Sequence, residues 1–283
     1  MLSWLWEQIA ALRLRWIKPQ RVGIPVVSVG NLAVGGTGKT PLVMLLAEQF
    51  PGRRVAVLAR GYRAKRGELN DEMQVIARRL PWVKLYQGKD RVRLAQQAEA
   101  DGAELILLDD GFQHHRLFRD IDLVIVHAND WNDRCLPFGR LREPVSALHR
   151  ADFVFAHEPV PCEAIGLETR VLEPKNYGPV GIFCGIGRPE KFRATVQSLG
   201  CEVVAELFVG DHRSISPSRL SRFAAEAARR GATSLLCTEK DFVKLPKISF
   251  PVHCIQIETV VTQRLDLWKK LLTHIEQILT QKA

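Results

Sequence analysis

Beyond Pro19 the chain alternates short apolar runs with segments of helical period. The runs IPVVSVG, RVAVLARG, ELILLDDG, IDLVIVHA and ADFVFAHE lack the polar alternation of a half-exposed strand, which predicts strands covered on both faces. Helix-like segments such as Pro41 to Gln49 and Arg91 to Ala100 separate most of them. That order predicts an α/β fold, a mostly parallel sheet with helices on both faces. From about Pro159 to Pro179 several prolines and weak periodicity predict a linker. Further runs follow, VGIFCGIG, CEVVAELFVG, TSLLCTEKD and PVHCIQIE, and predict a smaller α/β unit. A helix from about Val261 to Leu279, with Leu265, Trp268, Leu272, Ile275 and Leu279 on one face, is expected to close it.

The first eighteen residues follow a different pattern. In MLSWLWEQIAALRLRWIK a helix puts Leu2, Leu5, Ile9, Leu12 and Trp16 on one stripe, with Glu7, Gln8, Arg15 and Lys18 opposite. The segment is too short and too charged to span a bilayer and has no secretory cleavage site. Three tryptophans and terminal basic residues suit a helix lying in a membrane interface; a helix docked on the protein's own core would show the same amphipathicity. The expected organisation is therefore an N-terminal helix over 1–20, a larger domain over 21–165 and a smaller one over 166–283.

Charge and cysteine content narrow the chemistry. A net charge of +9 favours an anionic partner, whether nucleic acid, membrane surface or phosphorylated substrate. The six cysteines are scattered, with no C-x-x-C pair and no zinc-type spacing, so buried free thiols are expected.

The strongest motif is GGTGKT, Gly35 to Thr40, set between the strand residues Val26 to Val29 and a helix carrying Pro41 in its first turn. Gly35, Gly36, Thr37 and Gly38 allow backbone N–H groups to converge on phosphate oxygens. Lys39 would reach the β- and γ-phosphates, and the Thr40 hydroxyl would coordinate Mg²⁺. The motif begins at Ala33, where the general pattern has glycine. In LILLDDGFQHH, Asp109 and Asp110 leave the C-terminal end of a strand, where carboxylates can hold Mg²⁺ or its water shell. Gln113, His114 and His115 follow directly, as metal or substrate ligands or as a polar turn. RGYRAKRGELNDE gathers Arg60, Arg63, Lys65 and Arg66 near Asp71 and Glu72, a loop suited to an anionic substrate. LPFGRLREP adds Arg140, Arg142 and Glu143, and GDHRSIS places Asp211 and His212 after a strand, where either could serve as a general base.

Three function classes accommodate a P-loop of this kind. One is a small-molecule kinase using ATP and Mg²⁺ on an anionic acceptor; another is a membrane-associated P-loop ATPase switch. Such switches usually carry a lysine just before the paired glycines, where this chain has Val34. A GTPase would need an N-K-x-D motif, whereas CTEKDF sets Asp241 directly after Lys240. The basic residues lie in separate loops without an aromatic stacking surface, which argues against nucleic acid.

Taken in order, SVGNLAVGGTGKTP, RGY, DDGFQHHRL, LPFGRLREP, Asp211-His212 and TEKD (Thr238 to Asp241) resemble the tetraacyldisaccharide 4'-kinase family, the lipid A 4'-kinases of Gram-negative bacteria. The resemblance implies a P-loop kinase domain over 21–165, working at the cytoplasmic face of the inner membrane as a peripheral protein. It implies transfer of the γ-phosphate of ATP to the 4'-hydroxyl of a tetraacylated glucosamine disaccharide 1-phosphate, giving lipid IV-A. By that analogy Asp71 is the base with His212 as its partner, and Lys39 stabilises the transferred charge. Thr40, Asp109 and Asp110 organise Mg²⁺ with support from Gln113 and Glu143. Tyr62, Arg63 and Arg142 are the candidates for nucleotide or substrate.

Overall fold

The computed structural model describes residues 17–61, 67–210, 213 and 215–282. The expected N-terminal helix lies outside the described residues except for its last positions, of which Ile17 to Pro19 have no regular structure. The chain forms two compact units, the first comprising 1–62, 76–169 and 259–283 and the second 63–75 and 170–258.

The first unit is built on an eight-stranded sheet. Its strands are β1 (Val26–Asn31), β2 (Val55–Ala59), β3 (Lys84–Gln87), β4 (Leu105–Asp109), β5 (Ile121–Val126), β6 (Phe153–Ala156), β7 (Ile165–Val171) and β12 (Ile257–Gln263). They run in the order β12-β7-β6-β5-β1-β4-β2-β3. From β3 to β7 every pairing is parallel. Each residue of β1, β2, β4 and β5 is buried, which is why these strands read as nearly continuous apolar runs, interrupted by Ser28, Asn31, Asp109 and Asp122. The helices are α1 (Lys39–Glu48), α2 (Asp71–Arg79), whose residues up to Val75 belong to the second unit, and α3 (Arg91–Ala100). Val92, Ala95 and Ala98 of α3 pack on Val26, Leu58 and Ile106. Leu32, Phe112, Val124 and Leu141 belong to a separate apolar cluster. The order places β1 between β4 and β5, so its C-terminal end opens where successive crossovers diverge, the place where open α/β sheets bind ligands.

The second unit has its own parallel sheet: β8 (Pro179–Cys184), β9 (Glu202–Phe208), β10 (Ser234–Thr238) and β11 (Val252–Ile255), in the order β11-β10-β8-β9. The period-two alternation of a strand sorts its side chains between two layers. Val180, Ile182 and Cys184 face Phe192 and Val196 of α4 (Pro189–Ser198), while Phe183, Leu235 and Cys237 face Leu220 and Phe223 of α5 (Pro217–Arg229). All six cysteines are free thiols; Cys135, Cys184, Cys201 and Cys237 are buried and Cys162 is exposed.

Several expectations need correction. The proline-rich stretch holds β7, a strand whose Glu168, Thr169 and Arg170 are exposed and so break the apolar signature. The closing helix, α7 (Leu265–Lys282), begins later than expected because residues 257–263 form β12. Its buried stripe is Trp268, Leu271, Ile275 and Leu279, with Leu265 exposed at the first position. It belongs to the first unit and not to a 166–283 domain: the Trp268 ring meets Phe155 edge-on at 6.2 Å, and Lys282 Nζ pairs with Asp120 at 2.8 Å. The segment around Asp71, read as a loop, starts α2; the Asn70 side chain caps it by accepting from the Met73 N–H at 3.0 Å.

Candidate active site

At the C-terminal end of β1 the chain turns through residues 32–38 into α1, whose first residues are Lys39 and Thr40. The helix starts two residues earlier than its apolar period suggests, which brings both side chains into the first turn beside the helix dipole. Gly38 caps it at φ +90°, a left-handed conformation, and a Cβ there would lie 3.0 Å from His157 Nε2. A Cβ on Gly35 or Gly36 would meet nothing within 4 Å, so space lies open over the loop. Asn31 holds the loop's entry, its Nδ2 donating to the Ala33 carbonyl at 2.6 Å. The Thr37 hydroxyl is buried with no hydrogen-bond partner among the described residues.

Strand β4 supplies the acids. The Thr40 hydroxyl donates to Asp109 Oδ2 at 2.8 Å. Asp110 adopts φ 62°, uncommon for a residue with a side chain, and its carboxylate bridges two cations. Lys39 Nζ lies 3.4 Å from Oδ1, and Arg142 Nη1 donates to both oxygens at 2.9 and 2.8 Å. Burial pushes the Asp110 carboxyl upward, but Lys39 and Arg142 outweigh it and hold the group below the usual aspartate range. Gln113 joins the same knot, donating to the Asn31 carbonyl at 3.0 Å and accepting from Arg142 at 3.3 Å.

Thus Lys39, Thr40, Asp109, Asp110, Gln113 and Arg142 are brought together. Glu143 is turned toward Arg150, with which it pairs, and its other oxygen is buried without a partner among the described residues. Asp71 belongs to the second unit, where its Oδ2 accepts from Lys244 Nζ at 2.8 Å. His212, Tyr62 and Arg63 lie outside the described residues. Burial, reinforced by neighbouring arginines, pulls His114 down to about 4 and His115 to about 3, so both rings are neutral at pH 7.

One residue was not legible as part of this site. Arg91 opens the helix-like segment that forms α3, and it is buried, with Nη2 3.4 Å from the Asp110 carbonyl and Nε unpartnered among the described residues. Burial lowers its pKa; Asp110 opposes this, and Arg60 adds to it. Only the neighbourhood of Asp110 in space explains a buried arginine there.

The geometry fits a magnesium nucleotide. Mg²⁺ is usually held by one or two carboxylates together with phosphate oxygens and water, and a P-loop hydroxyl paired with a strand-end aspartate is such a donor set. The orphaned Thr37 hydroxyl and Glu143 oxygen are polar atoms that a bound ligand or its water would satisfy. A parallel α/β sheet with this loop at the end of its central strand, and a Thr–Asp pair beside a lysine, defines a P-loop nucleotide-binding protein of the phosphotransferase type.

The chain belongs to the tetraacyldisaccharide-1-P 4'-kinase family, whose family model matches residues 1–279. It is 34% identical over 308 residues to a tetraacyldisaccharide 4'-kinase of Chlamydia trachomatis serovar D, covering 89% of this chain and 83% of that protein. It is 36% identical over 277 residues to one of Anaeromyxobacter dehalogenans, covering 80% of this chain and 73% of the relative. Among solved structures, LpxK of Aquifex aeolicus in complex with ATP matches with a TM-score of 0.79 at 28% identity, over 97% of both chains.

Proposed function

We propose that this protein transfers the γ-phosphate of ATP to the 4'-hydroxyl of a tetraacyldisaccharide 1-phosphate, forming lipid IV-A. The observation that carries the reading is the pairing of Thr40 with Asp109 and of Lys39 with Asp110 at the mouth of the glycine loop, in a chain that belongs to this family. ATP with Mg²⁺ supplies the phosphoryl group and part of the charge neutralisation. Thr40 and Asp109 would hold the metal, with Glu143 and Gln113 in support. Lys39, steadied by Asp110, offsets charge on the phosphoryl oxygens as it is transferred.

In this reading Asp71 accepts the proton of the 4'-hydroxyl, with His212 as its partner. The sugar oxygen forms its bond to the γ-phosphorus as the bond from that phosphorus to the β–γ bridging oxygen breaks, and ADP leaves. Arg142, Tyr62 and Arg63 serve nucleotide or substrate. The net charge of +9 favours a phosphorylated acceptor. Residues 1–18 would rest in the membrane interface at the cytoplasmic face of the inner membrane, beside the acyl chains of the substrate. Among the described residues no helix is long and apolar enough to cross a membrane.

The test is incubation with γ-labelled ATP and a tetraacyl disaccharide 1-phosphate in detergent micelles. Label entering the lipid is the expected result. Label released only as inorganic phosphate would replace the kinase reading with an ATPase. Asp71→Asn should abolish transfer while ATP binding persists; loss of ATP binding instead would remove Asp71 from the role of base.

A further inference from the structure

The TEKD motif has no part in the nucleotide site described above, yet it is tightly built. Thr238 ends β10 and caps the single-turn helix α6 (Glu239–Phe242), its hydroxyl accepting from the Asp241 N–H at 3.4 Å and donating to Asp241 Oδ2 at 2.6 Å. Asp241 is buried, and its other oxygen accepts from the Gly185 N–H at 3.0 Å. The turn is therefore locked to the ends of two neighbouring strands, β8 and β10. Lys240 projects from this turn, and Lys244 follows two residues past its end, where its N–H donates to the Asp241 carbonyl at 3.2 Å. Lys240 Nζ reaches Glu72 at 2.7 Å and Lys244 Nζ reaches Asp71 at 2.8 Å. Two consecutive acids in the first turn of α2 thus each accept from a lysine.

The two pairs differ in their surroundings. The Lys240 side chain is 37% exposed, so its pair is well screened, whereas Lys244 and Asp71 are each 16% exposed. Burial raises the affinity of Asp241 for a proton, the bonds from Thr238 and Gly185 oppose this, and the charges of Lys244 and Asp71 add smaller contributions of opposite sign. The Lys244 ammonium accordingly offsets the charge of Asp71, which also acts on the nearby Asp241.

We propose that Lys244 is a positioning residue for phosphoryl transfer: its ammonium, tied by its backbone N–H to the last residue of the locked TEKD turn, holds the Asp71 carboxylate in the orientation from which it receives the sugar proton. The inference rests on the reading of Asp71 as the base. A carboxylate at the first position of a helix has several rotamers open to it. A short charge-assisted bond from a partly buried donor favours one of them.

The experiment compares steady-state turnover of Lys244→Met, Lys244→Arg, Lys240→Met and Asp71→Asn on ATP and the tetraacyl disaccharide 1-phosphate, with thermal unfolding of each. Loss of a charge-assisted hydrogen bond predicts that Lys244→Met lowers kcat about ten- to a hundredfold with KM for ATP changed less than about twofold. Lys244→Arg, which restores a cation, should recover to within about threefold of the parent, and Lys240→Met, which breaks the more exposed tie to Glu72, should stay within about threefold. If Lys244→Met does not fold, Lys244→Gln, which keeps a donor without the charge, is read by the same criteria. Parental kcat in the Met or Gln variant overturns the inference. So does an equal loss in Lys244→Arg, or an equal loss in Lys240→Met, which would make the tie between elements the whole effect. An active Asp71→Asn removes the base assignment and the inference with it, whereas an inactive Asp71→Asn beside a fully active Lys244→Met refutes the inference alone.

Discussion

At the scale of single residues, the site is a balance of charges. Asp110 stands between Lys39 and Arg142 and is itself backed by the buried Arg91, so the carboxylate offsets a cluster of cations that would otherwise repel one another. In such a cluster the lysine is held aimed before any phosphate arrives, and a preorganised donor contributes most where charge develops. Removing it should affect the chemical step above all. Lys39→Ala is expected to lower the single-turnover rate about a hundred- to a thousandfold, the usual cost of deleting one such donor. Rapid-quench measurement of label transfer checks this, and a near-parental rate would take Lys39 out of the mechanism. Much of this residue set was legible because GGTGKT and DDGFQ are local signals whose geometry follows from a strand ending and a helix beginning. Arg91 was not, because its role comes from a strand end some twenty residues along the chain.

At the scale of elements, the parallel core was readable and its edges were not. β1, β2, β4 and β5 are buried on both faces and are apolar but for Ser28, Asn31, Asp109 and Asp122. β3 and β7 pair nearer the sheet's margins, where exposed positions dilute the signal: only Tyr86 in β3 is buried, and Glu168 to Arg170 in β7 are exposed. The closing helix illustrates a second limit. Its apolar stripe was visible, but periodicity does not say which surface a stripe covers. α7 belongs to the first unit, with Trp268 against Phe155, and so should stabilise that unit. Trp268→Ala is expected to cost about 3 kcal/mol, the lower end for truncating a buried aromatic. Urea unfolding followed by far-UV circular dichroism measures it, and a loss under about 1 kcal/mol would mean the helix contributes little to the unit it packs in.

At the scale of the whole molecule, the proposed reaction joins a water-soluble nucleotide to a lipid held in a bilayer, and the first eighteen residues are the segment whose composition suits that boundary. A helix with an apolar stripe and basic residues at its end gains from apolar burial and from attraction to anionic headgroups, and the net charge of +9 adds to the second contribution. The described contacts of Lys39, Thr40, Asp109 and Asp110 are made within the first unit by residues beyond position 18, so the nucleotide site is expected to depend on neither. The two properties should therefore separate on truncation. A chain lacking residues 1–18 is expected to lose sedimentation with vesicles of phosphatidylethanolamine and phosphatidylglycerol. It should keep the rise in thermal midpoint given by saturating ATP with Mg²⁺, because a ligand at about a hundred times its Kd stabilises the native state by about 2.7 kcal/mol wherever its site is intact. Unchanged vesicle binding in the truncated chain would move the membrane contact elsewhere on the protein. Loss of the nucleotide-induced shift would mean instead that the segment packs on the first unit, the other arrangement its amphipathic stripe allows.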